Sequence, residues 1–167
     1  MYLHIYMTIP LQAKPRSLRK NAKAVAAHCP GLRIRQAARR ITRFLDDSLA
    51  EHGLTLAQFG LMAQVAAAED DTINGLATVT GLDQSTLSRN LRALERSGLI
   101  EITMVEKDLR RRAVWLTEKG ARQLEAAMPS WRRALHELAH QIDVEAILRL
   151  ADATGTLGPD RSARARP

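Results

Sequence analysis

The stretch GLDQSTLSRNLRALERSGLI, which spans residues 81–100, decides the fold of this chain. Its apolar positions recur every three or four residues, at Leu87, Leu91 and Leu94. That spacing predicts a helix with one buried face, which Asp83 or Ser85 caps at its start and Gly98 ends. The opposite face is polar and carries Gln84, Ser85, Ser88, Arg89 and Arg92. This face is therefore available to a polar partner.

The segments on either side of this helix complete a winged helix-turn-helix. A shorter helix is predicted from Asn74 to Thr80, and Gly81 makes the tight turn between the two helices. Residues 99–104 and 110–116 each alternate apolar and polar side chains, which predicts two strands joined by the polar stretch 106–109. Arginines lie at the tip of this hairpin, so the hairpin is a basic wing.

Helical spacing continues on both sides of the winged module. One helix is predicted from Leu32 to near Gly53, a second from Thr55 to Glu69-Asp70, and a last one from Asp143 to about Thr154. A long helix follows Thr117, and Pro129 should kink it or begin a new segment. No predicted sheet covers the outer apolar stripes, so a second subunit is their simplest cover.

The predicted fold is therefore mainly α with a small β-hairpin wing: a winged helix-turn-helix with N- and C-terminal dimerisation helices. We expect one domain over residues 29–157, with the winged module at about 55–117 and dimerisation helices at about 30–52 and 117–157. Residues 1–28 are predicted to be a flexible basic arm with at most one short helical piece, and residues 158–167 a disordered tail.

Composition points to a polyanionic partner. The chain has 167 residues, with 25 Lys and Arg against 18 Asp and Glu, a net charge of +7 and an isoelectric point near 10.3. Such a charge favours a polyanion as a partner, either nucleic acid or an anionic membrane surface. The single cysteine, Cys29, excludes an intrachain disulfide framework and is typical of a reducing cytoplasm. No run of about 18 apolar residues occurs, so we expect a cytoplasmic protein without a membrane partner.

The winged module offers the side chains that double-stranded DNA requires. An α-helix fits the major groove, where Gln84, Ser88 and Arg89 can reach base edges while Ser85 or Thr86 donates to phosphate. Arg92 lies on the same face. The wing residues Arg110, Arg111 and Arg112 can enter the minor groove or contact its phosphates.

Taken together, these motifs resemble the MarR (multiple antibiotic resistance regulator) family. The resemblance rests on Thr72-Ile73, Leu82–Arg89, Leu94–Ile100, Asp108–Arg110 and Leu116–Gly120. It implies a prokaryotic transcriptional regulator, a dimer with intertwined terminal helices that represses until a small ligand or an oxidant weakens DNA binding. It also implies that Asp108 orients Arg110. A two-fold dimer predicts a pseudo-palindromic operator with half-sites about 10 base pairs apart.

A second motif, His136-Glu137-Leu138-Ala139-His140, matches the zinc helix of metalloproteases. Asp143 and Ala146 stand where the longer form of that motif needs Gly and His, and no other catalytic motif occurs. We therefore expect a protein that is not an enzyme and uses no cofactor or resident metal. A zinc-responsive regulator that uses His136 and His140, with His52 or Glu51, stays an alternative.

Three further questions stay open at the level of sequence. Cys29 precedes a predicted helix N-terminus and lies near Arg33, so it is a candidate redox sensor as well as an inert thiol. The winged helix could also serve as a protein-interaction module that does not bind DNA. The effector, its pocket, the operator and the role of the basic arm are not encoded in any recognisable motif.

Overall fold

The structure is a computed structural model that describes residues 15–68, 72–105 and 108–155. Side chains are described for residues 17–68, 72–103 and 112–155. The helices and the hairpin follow one another in the predicted order. The elements are α1 (Pro15–His28), α2 (Pro30–Leu49), a 3₁₀ turn (Ala50–His52), α3 (Leu56–Ala67), α4 (Ile73–Thr80), α5 (Gln84–Arg96), β1 (Ile100–Val105), β2 (Asp108–Leu116), α6 (Glu118–Gln141) and α7 (Val144–Thr154). The mainly α fold with a β-hairpin wing is confirmed. The chain divides into two compact units, Met1–Arg43 and Phe44–Pro167.

The first unit contains a helix where the sequence predicts a flexible arm. Helix α1 covers fourteen residues, and Pro15 occupies its first position, where the fixed φ of proline suits a helix start. Alanine, leucine, lysine and arginine, all strong helix formers, make up most of the rest. Cys29 then donates its N–H to the carbonyl of Val25 at 3.0 Å and accepts from Arg33 N at 3.2 Å, so α2 follows at once. Residues 1–14 of the predicted arm lie outside the described residues.

The second unit has a core built mainly of leucine. The predicted inner face of α5 is confirmed, since Leu87, Leu91 and Leu94 are at most 1% exposed. They meet buried side chains of the neighbouring elements, which include Leu49, Leu54, Phe59, Leu61, Met62, Val65, Leu76, Leu99, Ile100, Val114 and Leu124. Each fully buried leucine contributes about 1.5–3 kcal/mol. This burial fixes which face of α5 is left outside.

Side-chain caps set the starts of the helices in this unit. Thr55 and Gln58 form a reciprocal capping box at α3, in which the Thr55 Oγ1 accepts from Gln58 N at 3.2 Å and Gln58 Oε1 accepts from Thr55 N at 2.9 Å. Thr72 caps α4 through Gly75 N at 3.1 Å. Gly81 ends α4 with a φ of 63°, a conformation that glycine adopts without strain.

The wing is a two-stranded antiparallel hairpin with an additional bridge. Ile100 pairs with Leu116 and Ile102 with Val114, and the register shifts between Met104 and Val105. On the other side of β2, Ala113 forms an isolated antiparallel bridge with Thr72. The hairpin is thereby tied to the start of α4 as well as to α5.

Helix α6 runs without interruption through Pro129. The sequence predicts a kink or a new segment there, and a new segment is ruled out. Proline removes only one backbone donor from the helix, while Ala127, Ser130 and Ala134 around it are at most 5% exposed and hold it in place. The predicted end of α3 at residues 69–70 lies outside the described residues. In the structure, α3 ends at Ala67.

The start of α6 packs directly on the turn between α5 and β1, a contact that we call the α5–β1 junction (residues 97–99 and 117–120). Thr117 donates its N–H to the carbonyl of Leu99 at 3.1 Å and its hydroxyl to that of Gly98 at 2.7 Å. Lys119 Nζ donates to the carbonyl of Ser97 at 2.8 Å. Gly120 lies against the Leu99 carbonyl so closely that a Cβ atom would overlap it.

The Gly120→Ala variant tests whether this junction fixes the fold. The added methyl group has no room beside the Leu99 backbone, so we expect the free energy of unfolding to fall by more than about 2 kcal/mol. Gly60→Ala is the matched control, because a Cβ at Gly60 meets no atom within 4 Å and alanine favours a helix by about 1 kcal/mol. Urea denaturation followed by circular dichroism measures both variants. Equal stability of the two variants would contradict the close contact.

Candidate nucleic-acid interface

The N-terminus of α5 is organised around the carboxylate of Asp83. Asp83 Oδ1 accepts from Ser85 Oγ at 2.6 Å and from Thr86 N at 2.9 Å, and Oδ2 accepts from Thr86 Oγ1 at 2.7 Å. The Ser85 hydroxyl, followed by the two Thr86 donors, holds the pKa of Asp83 well below its usual range. Of the two predicted cap residues, Asp83 is therefore the one used. The hydroxyl protons of Ser85 and Thr86 are engaged in this cap.

The polar face of α5 is present as predicted, with differences in exposure among its members. Gln84, Ser85, Arg89 and Arg92 are exposed, whereas Thr86 and Ser88 are half-buried. The Arg89 guanidinium lies back along the first turn, where Nε donates to the Ser85 carbonyl at 3.3 Å and a terminal nitrogen lies 3.4 Å from Thr86 Oγ1. The N-terminal turn of α5 thus presents an amide, a hydroxyl and a guanidinium within a few residues.

A groove of about 220 Å³ separates α5 from the wing. Its lining consists of Arg92, Glu95, Ile102, Thr103 and Arg112. The structure brings together Arg92 and Arg112, which the sequence named separately, and the Arg112 side chain is exposed. The side chains of Asp108, Arg110 and Arg111 lie outside the described residues, so their predicted contacts stay predictions.

Glu95 and Thr103 are groove residues that the motifs did not single out. Thr103 occupies an alternating position of β1 and pairs with Ala113, while Glu95 follows Arg92 by three residues on α5. The strand alternation and the helical spacing were therefore the available signals. A carboxylate in a basic groove excludes phosphate from its own position, so Glu95 restricts where an anion can bind.

A second polar cluster ties the 3₁₀ turn to α6 and centres on Ser130, which is 5% exposed. Its hydroxyl donates to Glu51 Oε1 at 2.7 Å and accepts from Arg133 at 3.1 Å. His52 Nε2 lies 2.9 Å from the same oxygen, and since the hydroxyl proton is on the Glu51 side, His52 must be the donor. Hydrogen bonding from Ser130, with His52 and Arg133 nearby, holds the pKa of Glu51 below its usual value.

This cluster forms one wall of an open cleft of about 350 Å³. The cleft is lined by Asp47, Ser48, Glu51, Ser130, Arg133, Ala134 and Glu137, from the end of α2, the 3₁₀ turn and the middle of α6. Carboxylates, a guanidinium and hydroxyls line it together. It is suited to a small polar ligand that both donates and accepts hydrogen bonds.

The His136–His140 pair lies on the exposed side of α6, with its rings edge to face and their centroids 4.5 Å apart. Within residues 15–68, 72–105 and 108–155, no three His, Cys, Asp or Glu side chains are placed so that they could hold a metal ion. His52 and Glu51, the other suggested ligands, are engaged with Ser130. The protease-like motif is thus not accompanied by a third ligand in the described part of the chain.

Cys29, the candidate redox sensor, and the two tryptophans lie in different surroundings. Cys29 is half-buried at the joint between α1 and α2. Trp131 packs against Phe59, with ring centroids 5.8 Å apart, whereas Trp115 on β2 is 46% exposed. None of the described helices is both long enough and apolar enough to cross a membrane.

Comparisons with known proteins agree with this geometry. A model of the MarR family matches residues 52–111. The chain is 33% identical over 104 residues to the HTH-type transcriptional regulator YdcH of Bacillus subtilis, an alignment that covers 60% of this chain and 71% of YdcH. The chain belongs to the MarR family. Proteins of the MarR family are transcriptional regulators and not enzymes, so the His136–His140 motif is not a catalytic site.

Solved structures of MarR-family regulators have the same fold. The M. tuberculosis regulator MosR in complex with DNA is 29% identical with a TM-score of 0.70, over 79% of this chain and 100% of that chain. The S. aureus MepR–DNA complex is 25% identical with a TM-score of 0.65, over 78% of this chain and 97% of that chain. The resemblance that the motifs suggested is confirmed.

The Asp83→Asn variant tests the cap that orders α5. Asparagine keeps one acceptor but loses the charge, so we expect a lower thermal midpoint than that of the wild type at pH 7. The pKa of Asp83 is lowered on folding, so its stabilising effect is present above the unfolded pKa, near 4, and is lost as pH falls through the lower folded value. The difference between the two proteins should therefore narrow below about pH 4. Glu125→Gln, at an exposed position of α6, is the control. A difference in thermal midpoint between Asp83→Asn and the wild type that does not change with pH would contradict stabilisation by the Asp83 carboxylate.

Proposed function

We propose that this MarR-family regulator binds double-stranded DNA in a sequence-specific manner, as a dimer that represses transcription from a pseudo-palindromic operator. The observation that carries the proposal is the exposed polar face of α5, anchored by three buried leucines and placed beside a groove that contains Arg92 and Arg112. The solved complexes of MosR and MepR with DNA support it, because both regulators share this fold.

Each part of the interface has a distinct role in this proposal. Arg89 and Gln84 read base edges in the major groove, where arginine matches guanine and glutamine matches adenine. Ser88 adds a contact at base edges, while Ser85 and Thr86, whose hydroxyls bond to Asp83, order the N-terminal turn and contact phosphate. The wing residues Arg110, Arg111 and Arg112 contact the minor groove or its phosphates, with Asp108 orienting Arg110. Arg92, on the groove between helix and wing, contacts phosphate.

The dimer is supported by apolar side chains left outside at both ends of the chain. Ile34 on α2 is 48% exposed, and Leu148 and Leu150 on α7 are 52% and 43% exposed. A second copy of the chain would remove these surfaces from water. The assignment of residues 30–52 and 117–157 to dimerisation helices stays a prediction on these grounds.

The proposed repressor also responds to a small effector. The cleft at Ser130 supports this response to an effector, because the middle of α6 forms a wall of the cleft. The start of the same helix forms part of the α5–β1 junction. A ligand that prefers one position of α6 would shift DNA affinity through that helix. Oxidation of Cys29 is the alternative signal, and its position at a helix joint is what favours it. The zinc-responsive alternative has no third ligand in the described residues to support it.

Selection of binders from a random duplex library at about 0.15 M salt tests DNA recognition. We expect an enriched inverted repeat with half-sites about 10 base pairs apart. Arg89→Ala should cost about 1–3 kcal/mol on that repeat and relax base preference at one position of each half-site. Arg112→Ala should weaken binding to all duplexes alike and lower the slope of log K against log salt by about one. Arg132→Ala, at an exposed position in the second half of α6, is the control and should bind as the wild type does.

Two results would contradict this division of roles. Enrichment of no sequence, with affinity that only tracks salt, would favour the protein-interaction module. Uniform weakening by both Arg89→Ala and Arg112→Ala would show that α5 contacts only the backbone of DNA.

The selected operator also tests the effector site. A compound that releases the wild-type protein from the operator, but not the Arg133→Ala variant, acts through the cleft.

The Leu148→Glu variant tests the dimer. A buried charge at an interface is costly, so we expect monomers in sedimentation at micromolar concentration and an operator affinity lower by at least about tenfold. Ala153→Glu places the same charge at an exposed position on another face of α7 and should stay dimeric. Dimers of Leu148→Glu with full operator affinity would show that α7 is not part of the interface.

A further inference from the structure

The first unit of the chain carries a charge of one sign only. The sequence has no Asp or Glu before Asp46, and all charged side chains of residues 15–43 are cations: Arg16, Arg19, Lys20, Lys23, Arg33, Arg35, Arg39, Arg40 and Arg43. Within residues 17–43, whose side chains are described, no ion pair joins a carboxylate to the lysines and arginines from Arg19 to Arg43. This excess is larger than the net charge of the whole chain, so it is a local feature.

Helix α1 arranges its cations on one side. At 3.6 residues per turn, Arg19, Lys20 and Lys23 fall within about a third of the helix circumference. All three are exposed. Leu18 and Val25, which are 64% and 58% exposed, fall on another side of the helix. The basic face of α1 (Arg19, Lys20 and Lys23) is thus separate from its apolar positions.

The same charge continues on α2 without interruption by acidic residues. Arg33, Arg35, Arg39, Arg40 and Arg43 are all exposed. Arg33 also donates through Nε to the carbonyl of Ala27 at 3.2 Å, which joins the end of α1 to the first turn of α2. The terminal nitrogens of Arg33 take no part in this hydrogen bond, which is made by Nε. The result is a continuous run of cations on two successive helices.

We propose that the basic face of α1, extended by the arginines of α2, binds the phosphate backbone of double-stranded DNA independently of base sequence. The inference rests on the proposed DNA-binding function and adds a contact outside the winged module. DNA carries one phosphate charge per about 1.7 Å of axis, and guanidinium groups bind phosphate through paired hydrogen bonds. Charge complementarity therefore commits this surface to DNA.

An anionic membrane is the competing occupant of a basic helix, and the composition of α1 disfavours it. Helices that lie in a membrane surface bury a face rich in Trp, Phe and Leu. Helix α1 has no aromatic residue, and its large apolar side chains are Leu18 and Val25, with alanines at the other apolar positions. The basic face is better developed than the apolar one, which suits a highly charged polymer.

The test is a triple variant of the full chain, Arg19→Gln, Lys20→Gln and Lys23→Gln, which removes three charges but keeps unbranched polar side chains of similar helix propensity. Fluorescence anisotropy measures its affinity for the selected operator and for a scrambled duplex from 50 to 200 mM salt. We expect the slope of log K against log salt to fall by about one per lost phosphate contact, with a loss on the order of tenfold on both duplexes. The selected base sequence should not change.

The control is a second triple variant with the same charge change, Arg122→Gln, Arg132→Gln and Arg149→Gln, at exposed positions of α6 and α7. A salt slope for the α1 variant equal to that of the wild type, or of this control, would overturn the proposal. Loss of binding to phosphatidylglycerol vesicles with an unchanged DNA slope would overturn it in favour of a membrane. If selection yields no operator, the proposed function fails, yet the slope on scrambled duplex still reports on α1.

Discussion

The contact between Gly120 and the carbonyl of Leu99 is the constraint on which the winged module depends. Leu99 lies between α5 and β1, and Thr117, which bonds to the same turn, lies between β2 and α6. Four elements therefore meet within a few residues. Because only glycine leaves room for this approach, the angle between α5 and the wing is fixed by a backbone contact, to which the side chains of Thr117 and Lys119 add hydrogen bonds.

Fixed ends explain how α5 can present a defined polar face. Its N-terminus is held by the Asp83 carboxylate, its inner face by buried leucines, and its C-terminus by the junction at Ser97 and Gly98. The exposed side chains then sit on a rigid support, and little backbone entropy is lost when a partner binds. Hydroxyls that would otherwise rotate are already bonded within the first turn. In the proposed function, the cap thus contributes to DNA recognition as well as to helix stability.

Features that depend on local sequence were predictable, and those that join distant segments were not. The leucine spacing of α5, its cap and the glycine before it predicted the helix-turn-helix, because period and turn chemistry act over a few residues. The polar cluster at Ser130 joins residues that are 79 positions apart in sequence, and no spacing rule predicts this contact. The Thr72–Ala113 bridge is equally non-local. The length of helix α1 was underestimated for another reason, since the prolines and scattered charges of the arm outweighed its helix propensity.

Helix α6 relates the cleft to the winged module, because one uninterrupted helix carries Ser130 in its middle and the junction at its start. Pro129 lacks the backbone donor that would bond to the preceding turn, so α6 has one backbone hydrogen bond fewer just before Ser130. Elsewhere the helix is held by buried side chains on its inner face. A ligand at the cleft changes DNA affinity only to the extent that it prefers one arrangement of this turn over another. In the proposed function, the coupling between effector and operator is therefore a property of α6, and substitutions in the Pro129 turn would alter that coupling while the side chains of α5 keep their contacts.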